Sequence, residues 1–88
     1  MEFDWDAANV KHIARHGISR EECEEACLNG PLVIEQQIRK GERRLLCLGE
    51  TSAGRLLTFV ITERRAKTRF ITAHPMHRNQ RQIYLEEE

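Results

Sequence analysis

The chain has 88 residues, of which 40% are hydrophobic and 32% charged, a composition typical of one small folded domain rather than of a disordered protein. Its longest strongly apolar runs, Leu45–Leu48 and Leu56–Ile61, are far shorter than the roughly 20 residues that a membrane-spanning helix needs. The acidic opening MEFDWD is unlike a secretory signal. An odd number of cysteines without metal-ligand clustering indicates a reduced protein, so we predict a cytoplasmic location.

The formal net charge is zero, but positive and negative residues are unevenly distributed along the chain. Residues 1–30 hold three Lys or Arg against seven Asp or Glu, whereas residues 39–85 hold eleven against three. Such an excess of positive charge is typical of a surface that meets phosphate groups or an acidic protein. We therefore expect a binding surface for one of these partners in the second half of the chain.

The N-terminal third predicts one short strand and two helices. The alternating segment EFDW predicts a strand with Phe3 and Trp5 on the same face. Asp6 is a candidate N-cap for a helix that runs to about His16 and is stopped by Gly17.

The second helix is predicted by the capping box of Ser19 and Glu22 and ends at the NGP of residues 29–31. Its apolar edge consists of Cys23, Ala26 and Cys27.

The rest of the chain has the apolar alternation and β-branched content of strands. We predict four strands, at residues 31–39, 43–51, 55–63 and 67–74. The breaks between them are short enough for hairpins, so consecutive strands should be antiparallel neighbours. A last helix is predicted from Pro75 over residues 76–85, with Met76 and Ile83 facing inward.

The predicted fold class is α+β, a single domain at residues 3–85 followed by an acidic tail at residues 86–88. The element order is β-α-α-β-β-β-β-α, with one antiparallel sheet and its helices packed mainly on one face.

Positive charge in this pattern is aligned as well as abundant. Lys67 and Arg69 alternate with apolar residues on the fourth predicted hairpin strand. On the last helix, His74, Arg78 and Arg81 are spaced by four and three residues and form one ridge. An adjacent ridge consists of His77, Arg81 and Tyr84.

These residue types match the needs of RNA cleavage without a metal, which takes a base, an acid and positive charge around the reacting phosphate. The candidates for proton transfer are His12, His16, His74, His77 and Glu63. The candidates for positive charge are Lys11, Arg15, Arg64, Arg69, Arg78 and Arg81.

Structural roles remain open for several of these residues. Glu63 could form a cross-strand ion pair with an arginine, and Tyr84 could pack against Trp5. His12 and His16 have the i, i+4 spacing of metal ligands, which leaves a metal-dependent enzyme as an alternative, although no clear third ligand accompanies them. We predict no metal site and no cofactor.

Several strings resemble the BrnT-type toxins over nearly the whole chain, from about Phe3 to Tyr84. They are FDWDAANVKHIARHGIS, NGPL, ERRLLCLGETSAGRLLTFVITER and RFITA before a basic helix. The motifs that match are Trp5–Asp6, Arg15-His16-Gly17, the Gly-Arg-Leu-Leu of residues 54–57 and the Thr-Glu-Arg of residues 62–64.

The resemblance implies a RelE-like compact fold and a metal-independent endoribonuclease that inhibits growth or translation. It also implies a cognate ribbon-helix-helix antitoxin (BrnA-like), with operator DNA bound only through the antitoxin complex, and no membrane partner. The RNA site would be lined by the basic turn of the first helix, the Glu63-Arg64 pair and the basic last helix.

The chain differs from the usual family pattern at two points. It has Ala73-His74 where Ala-Arg is common, and Gln80-Arg81 where a Glu-Arg pair is common. Arginine is always charged, whereas imidazole is the side chain that ordinarily changes its charge between pH 5 and 8. The alternatives are proton transfer by His74 or His77, weaker RNA binding, or a non-catalytic module that binds RNA or protein.

Our prediction from the sequence is a cytoplasmic ribonuclease toxin. The predicted catalytic residues are Glu63, Arg64, His74 and Arg81, with His74 and Glu63 as the acid and base. The predicted RNA-binding residues are Lys11, Arg15, His16, Arg69, His77, Arg78 and Tyr84.

Overall fold

The structure, a computed structural model, describes residues 1–87. The helices are α1 (Ala7–Ala14), α2 (Arg20–Leu28) and α3 (Arg78–Glu87), and the strands are β1 (Leu32–Arg39), β2 (Glu42–Glu50), β3 (Leu56–Arg64) and β4 (Lys67–Pro75). The strands form one antiparallel sheet in the order β1-β2-β3-β4, because each is joined to the next by a hairpin. The predicted α+β class with a four-stranded antiparallel hairpin sheet is confirmed.

The predicted N-terminal strand is reduced to a single bridge on the free edge of β4. Phe3 pairs in parallel with Thr68, whose main chain bonds to the segment on both sides. Phe3 and Trp5 do share a face, as predicted, and their rings stack on Phe70 with centroids 5.9 and 5.0 Å apart. These stacked rings attach the N-terminal segment to the sheet.

Both predicted N-caps are present. The Asp6 carboxylate accepts a hydrogen bond from the Asn9 N–H at 2.9 Å, and Ser19 and Glu22 form a complete capping box. The first helix ends at Ala14, two residues before the predicted end.

The core lies between the sheet and the pair α1 and α2. The apolar edge of α2 is buried as predicted, and it packs on β2 so closely that Gly49 has no room for a side chain. A Cβ atom there would lie 2.9 Å from the Ala26 carbonyl oxygen. The largest buried side chains of this core are Phe59, Phe70, Ile13 and Leu57.

The third helix lies against the opposite face of the sheet. It begins at Arg78 rather than at residue 76, because Pro75 still pairs with Leu57 in the sheet. Gln80 and Tyr84, four residues apart, face the strands. Met76 is buried as predicted, but Ile83 is 41% exposed, so its predicted inward orientation is wrong.

Residues 86 and 87 continue this helix. The predicted acidic tail, residues 86–88, overlaps α3 at residues 86–87, and Glu88 lies outside the described residues. Within the described part of the chain, no helix has the length and apolar character needed to cross a membrane.

The two outer hairpins have two-residue turns in the left-handed conformation, with φ of 52° and 78° at Lys40 and Gly41, and 54° and 63° at Arg65 and Ala66. Only one of these turns has a glycine at its second position. We expect Ala66→Gly to raise the free energy of unfolding by about 0.5–1 kcal/mol, because a side chain is unfavourable at positive φ. Urea denaturation measures this change.

The matched control is Gly41→Ala in the other turn, which should lower the free energy of unfolding by a similar amount. A loss of stability in Ala66→Gly would contradict the left-handed conformation at position 66.

Candidate active site

All four histidines of the chain lie together at one end of the sheet, and we call them the histidine cluster. The ring centroids of His12 and His16 are 5.9 Å apart, and those of His16 and His74 are 6.2 Å apart. His77 stacks on His74 at 4.6 Å with an angle of 20° between the rings. Two segments distant in sequence, residues 12–16 and residues 74–77, therefore bring their imidazoles into one row.

The first half of the cluster is held by α1 against β4. His12 and His16 are one helical turn apart on the last part of this helix and the turn after it. The Nε2 atom of His12 lies 3.1 Å from the Thr72 hydroxyl, so the helix end is attached to the strand. His74 follows two residues later on the same strand, which places its ring beside His16.

The His74 ring is oriented by the chain that follows it. Its Nδ1 atom lies 2.7 Å from the Pro75 carbonyl oxygen, which can only accept a hydrogen bond. Nδ1 therefore carries a hydrogen, and the lone pair of the neutral ring is on Nε2. A histidine with this tautomer can take up a proton at Nε2 and later release it.

Gln80 organises the start of α3 below the cluster. Its side-chain oxygen accepts hydrogen bonds from the His77 N–H at 2.8 Å and from the Thr58 hydroxyl at 2.7 Å. The contact with His77 is one half of a capping box, in which the third helical residue bonds back to the N-cap. Gln80 thus fixes the segment that carries His77, which is a positioning role that glutamine fills without a charge.

Four cations flank the histidine cluster. Lys11 and Arg15 alternate with the histidines of α1, and Arg78 follows His77 directly. These three are exposed, and none is within ion-pair distance of an acid among the described residues. Arg81 donates a hydrogen bond to the Met76 carbonyl oxygen at 3.2 Å, which holds it over the start of α3.

A concave cleft extends from the cluster across the face of the sheet that α1 and α2 leave uncovered. We call it the open-face cleft. Its volume is about 260 Å³, and its lining residues are Glu35, Gln37, Arg39, Arg44, Leu46, Val60, Ile71 and Thr72. Thr72 belongs to both features, because it lines the cleft and contacts His12. The cleft combines an apolar floor with two arginines at its edge.

The structure does not bring Glu63 and His74 together. Glu63 shares the face of Phe59 and the helices α1 and α2, whereas His74 opposes Thr58 on the other face. Five residues of strand separate the two positions, or roughly 17 Å. The predicted pairing of these two residues as acid and base therefore has no geometric support.

Two other predicted site residues, Arg64 and Arg69, also lie at the far end of the sheet, and both form ion pairs. Arg64 pairs with Glu42 at 3.2 Å, and this contact lowers the pKa of Glu42.

Seven predicted residues do converge around the cluster: Lys11, Arg15, His16, His74, His77, Arg78 and Arg81. Tyr84 lies on the side of α3 that faces the sheet, with its hydroxyl 3.4 Å from the Glu50 carboxylate, whereas Trp5 stacks on Phe70.

Arg69 attaches the N-terminal segment to β4. Its guanidinium lies 2.8 Å from the Asp6 carboxylate and 3.5 Å from that of Asp4, and its side chain is only 14% exposed. The pKa of Asp6 is lowered first by the Asn9 N–H and then by Arg69. The pKa of Arg69 is raised, chiefly by its hydrogen bond to Asp6.

These ion pairs predict a specific pH dependence of stability. A carboxylate whose pKa in the folded protein lies below its ordinary value of 3.8 stabilises the fold above about pH 5. That stabilisation is lost as the pH falls through the lowered pKa. We expect Arg69→Met to lower the melting temperature at neutral pH and to make its fall below about pH 5 shallower.

Thermal denaturation from neutral pH to about pH 2.5 tests this prediction. Arg20→Met is the matched control, because Arg20 pairs with Glu21 only at the exposed surface, at 3.7 Å. Parallel curves for Arg69→Met and the wild-type protein would contradict the role of Arg69.

The described residues contain no group of three or more His, Cys, Asp or Glu side chains arranged to hold a metal ion, so His12 and His16 gain no third ligand there. The three cysteines are buried, and burial raises the pKa of Cys23 and of Cys47 to about 12. Their thiols therefore stay protonated and are poor nucleophiles.

Sequence reasoning missed the residues of the open-face cleft. Arg44 shares a face with Leu46, opposite to the face of Leu45 and Cys47. Strand alternation alone could have separated it from Arg43, once the core face was assigned. The sequence around Thr72 gave no indication that this residue belongs to the site, because its contact with His12 joins positions 60 residues apart.

The fold and the site together define a small α+β protein with a cationic, histidine-lined surface suited to a polyanionic ligand. A family model described as ribonuclease toxin, BrnT, of type II toxin-antitoxin system matches residues 5–80. The chain therefore belongs to the BrnT family of ribonuclease toxins, and the predicted resemblance is confirmed. Among curated proteins, no match to the chain is found.

Proposed function

We propose that this chain is a metal-independent endoribonuclease whose active centre is the histidine cluster. The observation that carries the proposal is the convergence of all four histidines at one end of the sheet, beside cations that form no ion pair within the described residues. Histidines scattered on a surface for other reasons would have no cause to meet from two distant segments of the chain. Membership in a family of ribonuclease toxins supports the same chemistry.

The proposed reaction is an in-line transesterification. The 2′-oxygen attacks the phosphorus, the bond from phosphorus to the 5′-oxygen breaks, and a 2′,3′-cyclic phosphate forms. His74 accepts the proton of the 2′-hydroxyl at Nε2, and His16 donates a proton to the leaving 5′-oxygen. Hydrogen-bond reach is about 2.6–3.2 Å, so two rings with centroids 6.2 Å apart can both reach one phosphate between them.

Positive charge beside the two histidines stabilises the transition state. Lys11, Arg15 and Arg78 carry charge that no acid of the described residues neutralises. As the phosphate passes through its five-coordinate form, negative charge builds on its equatorial oxygens, and nearby cations lower that energy. Arg81 is proposed to join this group from the first turns of α3.

The open-face cleft is proposed to hold the nucleotide next to the cleaved bond. Arg39 offers hydrogen-bond donors for a phosphate, and so do the terminal nitrogens of Arg44, whose Nε is paired with Glu42 at 3.1 Å. The apolar floor offers a surface for a base or a ribose. Arg64, Arg69 and Glu63 are given no place in the reaction, because they lie at the other end of the sheet.

We further propose that cleavage inhibits growth or translation in the cytoplasm and that a ribbon-helix-helix antitoxin of the BrnA kind holds the chain inactive. The antitoxin complex, rather than this chain alone, would bind operator DNA. An acidic segment that covers Lys11, Arg15 and Arg78 would both block RNA and gain charge complementarity.

The test is an incubation of the purified chain with labelled RNA in excess EDTA. We expect RNA fragments that end in a 2′,3′-cyclic phosphate and a 5′-hydroxyl. Cleavage that stops in EDTA and returns with a divalent metal would contradict metal independence. RNA binding with a salt dependence but without any cleavage would favour the alternative, a non-catalytic binding module.

A further inference from the structure

The outer strand β1 leaves one edge of the sheet free. Within the described residues it pairs only with β2, and every residue from Glu35 to Arg39 is exposed. Ile38 is 69% exposed, which is unusual for a large apolar side chain in a strand. A free edge with unpaired main-chain groups is a template for another strand.

The hairpin determines which main-chain groups of β1 point outward. The two-residue turn closes at the pair Arg39 and Glu42, and such a closing pair exchanges main-chain hydrogen bonds. Bonded and non-bonded pairs alternate in an antiparallel ladder. Arg39, Gln37 and Glu35 therefore direct their main-chain groups to β2, while Gln36 and Ile38 direct theirs outward.

A second copy that pairs antiparallel must match outward residues with outward residues. Three registers satisfy this: Gln36 with Gln36, Gln36 with Ile38, or Ile38 with Ile38. Only the second register places Glu35 opposite Arg39 of the second copy, and it does so twice. Cross-strand pairs of opposite charge on one face are stabilising, so the side chains select this register.

We propose that the β1 edge pairs with the same edge of a second copy of this chain, about a two-fold axis at Gln37. Four main-chain hydrogen bonds join Gln36 and Ile38 across the axis. The bulge between Val33 and Glu35 ends the regular ladder, so the interface is short and the dimer weak. The two open-face clefts then lie side by side on one eight-stranded sheet.

The pairing also changes the charge of the cleft. Glu35 is the one carboxylate among the eight residues of the open-face cleft named above. In the dimer, Arg39 of the second copy lies beside it and neutralises it. The self-complementary charge pattern of Glu35, Gln37 and Arg39 selects a second copy over an unrelated strand as the occupant.

Sedimentation equilibrium of the full chain from micromolar to millimolar concentration tests the dimer. We expect reversible association to a dimer, and we expect Glu35→Arg or Arg39→Glu alone to weaken it about tenfold, because like charges then face each other. The double variant Glu35→Arg and Arg39→Glu should restore it. Glu21→Arg, an equal charge change at an exposed position of α2, should have no effect.

Single cysteines test the register. Opposed residues in a non-bonded antiparallel pair are about 4.5 Å apart at Cα, within the range of a disulfide. Gln37→Cys should therefore crosslink two chains under mild oxidation, whereas Gln36→Cys, opposite Ile38, should not. The native thiols do not compete, because all three are buried.

Two results would overturn the proposal. A chain that remains monomeric at millimolar concentration leaves the β1 edge to a strand from another protein. The register is wrong if Gln36→Cys crosslinks two chains and Gln37→Cys does not. The association uses a different surface if all of the charge variants leave the dimer unchanged.

Discussion

Replacement of His74 by alanine is expected to lower the rate of RNA cleavage by about 10²–10⁴-fold, the usual contribution of a positioned acid or base. The substitution removes Nε2 from the place where its tautomer is set by the Pro75 carbonyl oxygen. The fold should tolerate it, because His74 is only half-buried at the end of β4. The measurement is single-turnover cleavage of a labelled RNA in EDTA.

His16→Ala should cause a loss of similar size if the two histidines act as a pair. The double variant should then be little slower than either single one, since an acid and a base that act on one phosphate fail together. Independent, multiplicative losses would instead indicate separate contributions to RNA binding.

The pH dependence gives a second readout of the same pair. One imidazole must be neutral and the other protonated in the proposed reaction, so the wild-type rate should have a bell-shaped dependence on pH. Each single alanine variant should lose one limb of the bell. A merely structural role for either histidine would lower the rate at every pH and leave the shape unchanged.

Glu63→Gln is the matched control for these variants. It removes a titratable group that was predicted from sequence to be catalytic but that lies on the other face of the sheet, roughly 17 Å along β3 from the position of His74. We expect its cleavage rate to stay close to that of the wild-type protein. A loss as large as that of His74→Ala would contradict the assignment of the site to the histidine cluster.

The second large effect is on stability. Phe70→Ala is expected to lower the free energy of unfolding by about 3–5 kcal/mol, because it empties the centre of an aromatic stack. Phe70 is 1% exposed and contacts Trp5 with ring centroids 5.0 Å apart and Phe59 with centroids 5.5 Å apart. A small domain has only about 5–15 kcal/mol in total, so this variant should be partly unfolded at physiological temperature.

Urea denaturation followed by the fluorescence of Trp5, the single tryptophan of the chain, measures this loss. Phe70→Leu is the control of similar shape and should cost only about 1–2 kcal/mol. A change below 1 kcal/mol in Phe70→Ala would mean that the N-terminal segment and β4 are held together by Arg69 and the main chain alone.

Those parts of the fold that depend on residues close together in the sequence could be predicted from it. Both helix N-caps, the four hairpin strands and the buried edge of α2 follow from signals within a few residues, and all are present. The orientation of α3 could not be predicted in the same way. Ile83 is more apolar than Gln80, yet Gln80 faces the sheet because Thr58 and the His77 N–H meet its side-chain oxygen.

The candidate site shows the same difference between features set by residues close in sequence and features set by distant contacts. The sequence identified the residue types and the basic C-terminal region, because composition and charge can be read directly from the chain. It could not separate arginines that face solvent from those that neutralise acids of the same protein. Arg69 and Arg78 look alike in sequence, but of the two only Arg69 contacts carboxylates of the described residues, and these come from a segment more than 60 residues away.

The sequence by itself determined the class of fold, the family and the amount of positive charge available, since each depends on local pattern or composition. Tertiary structure alone decided which of those charges meet. The sheet separates Glu63 from His74 by strand length and by face, and the packing of α1 on β4 brings His16 to His74 instead. Contacts between distant segments depend on register and helix packing, and neither is written in any single stretch of residues.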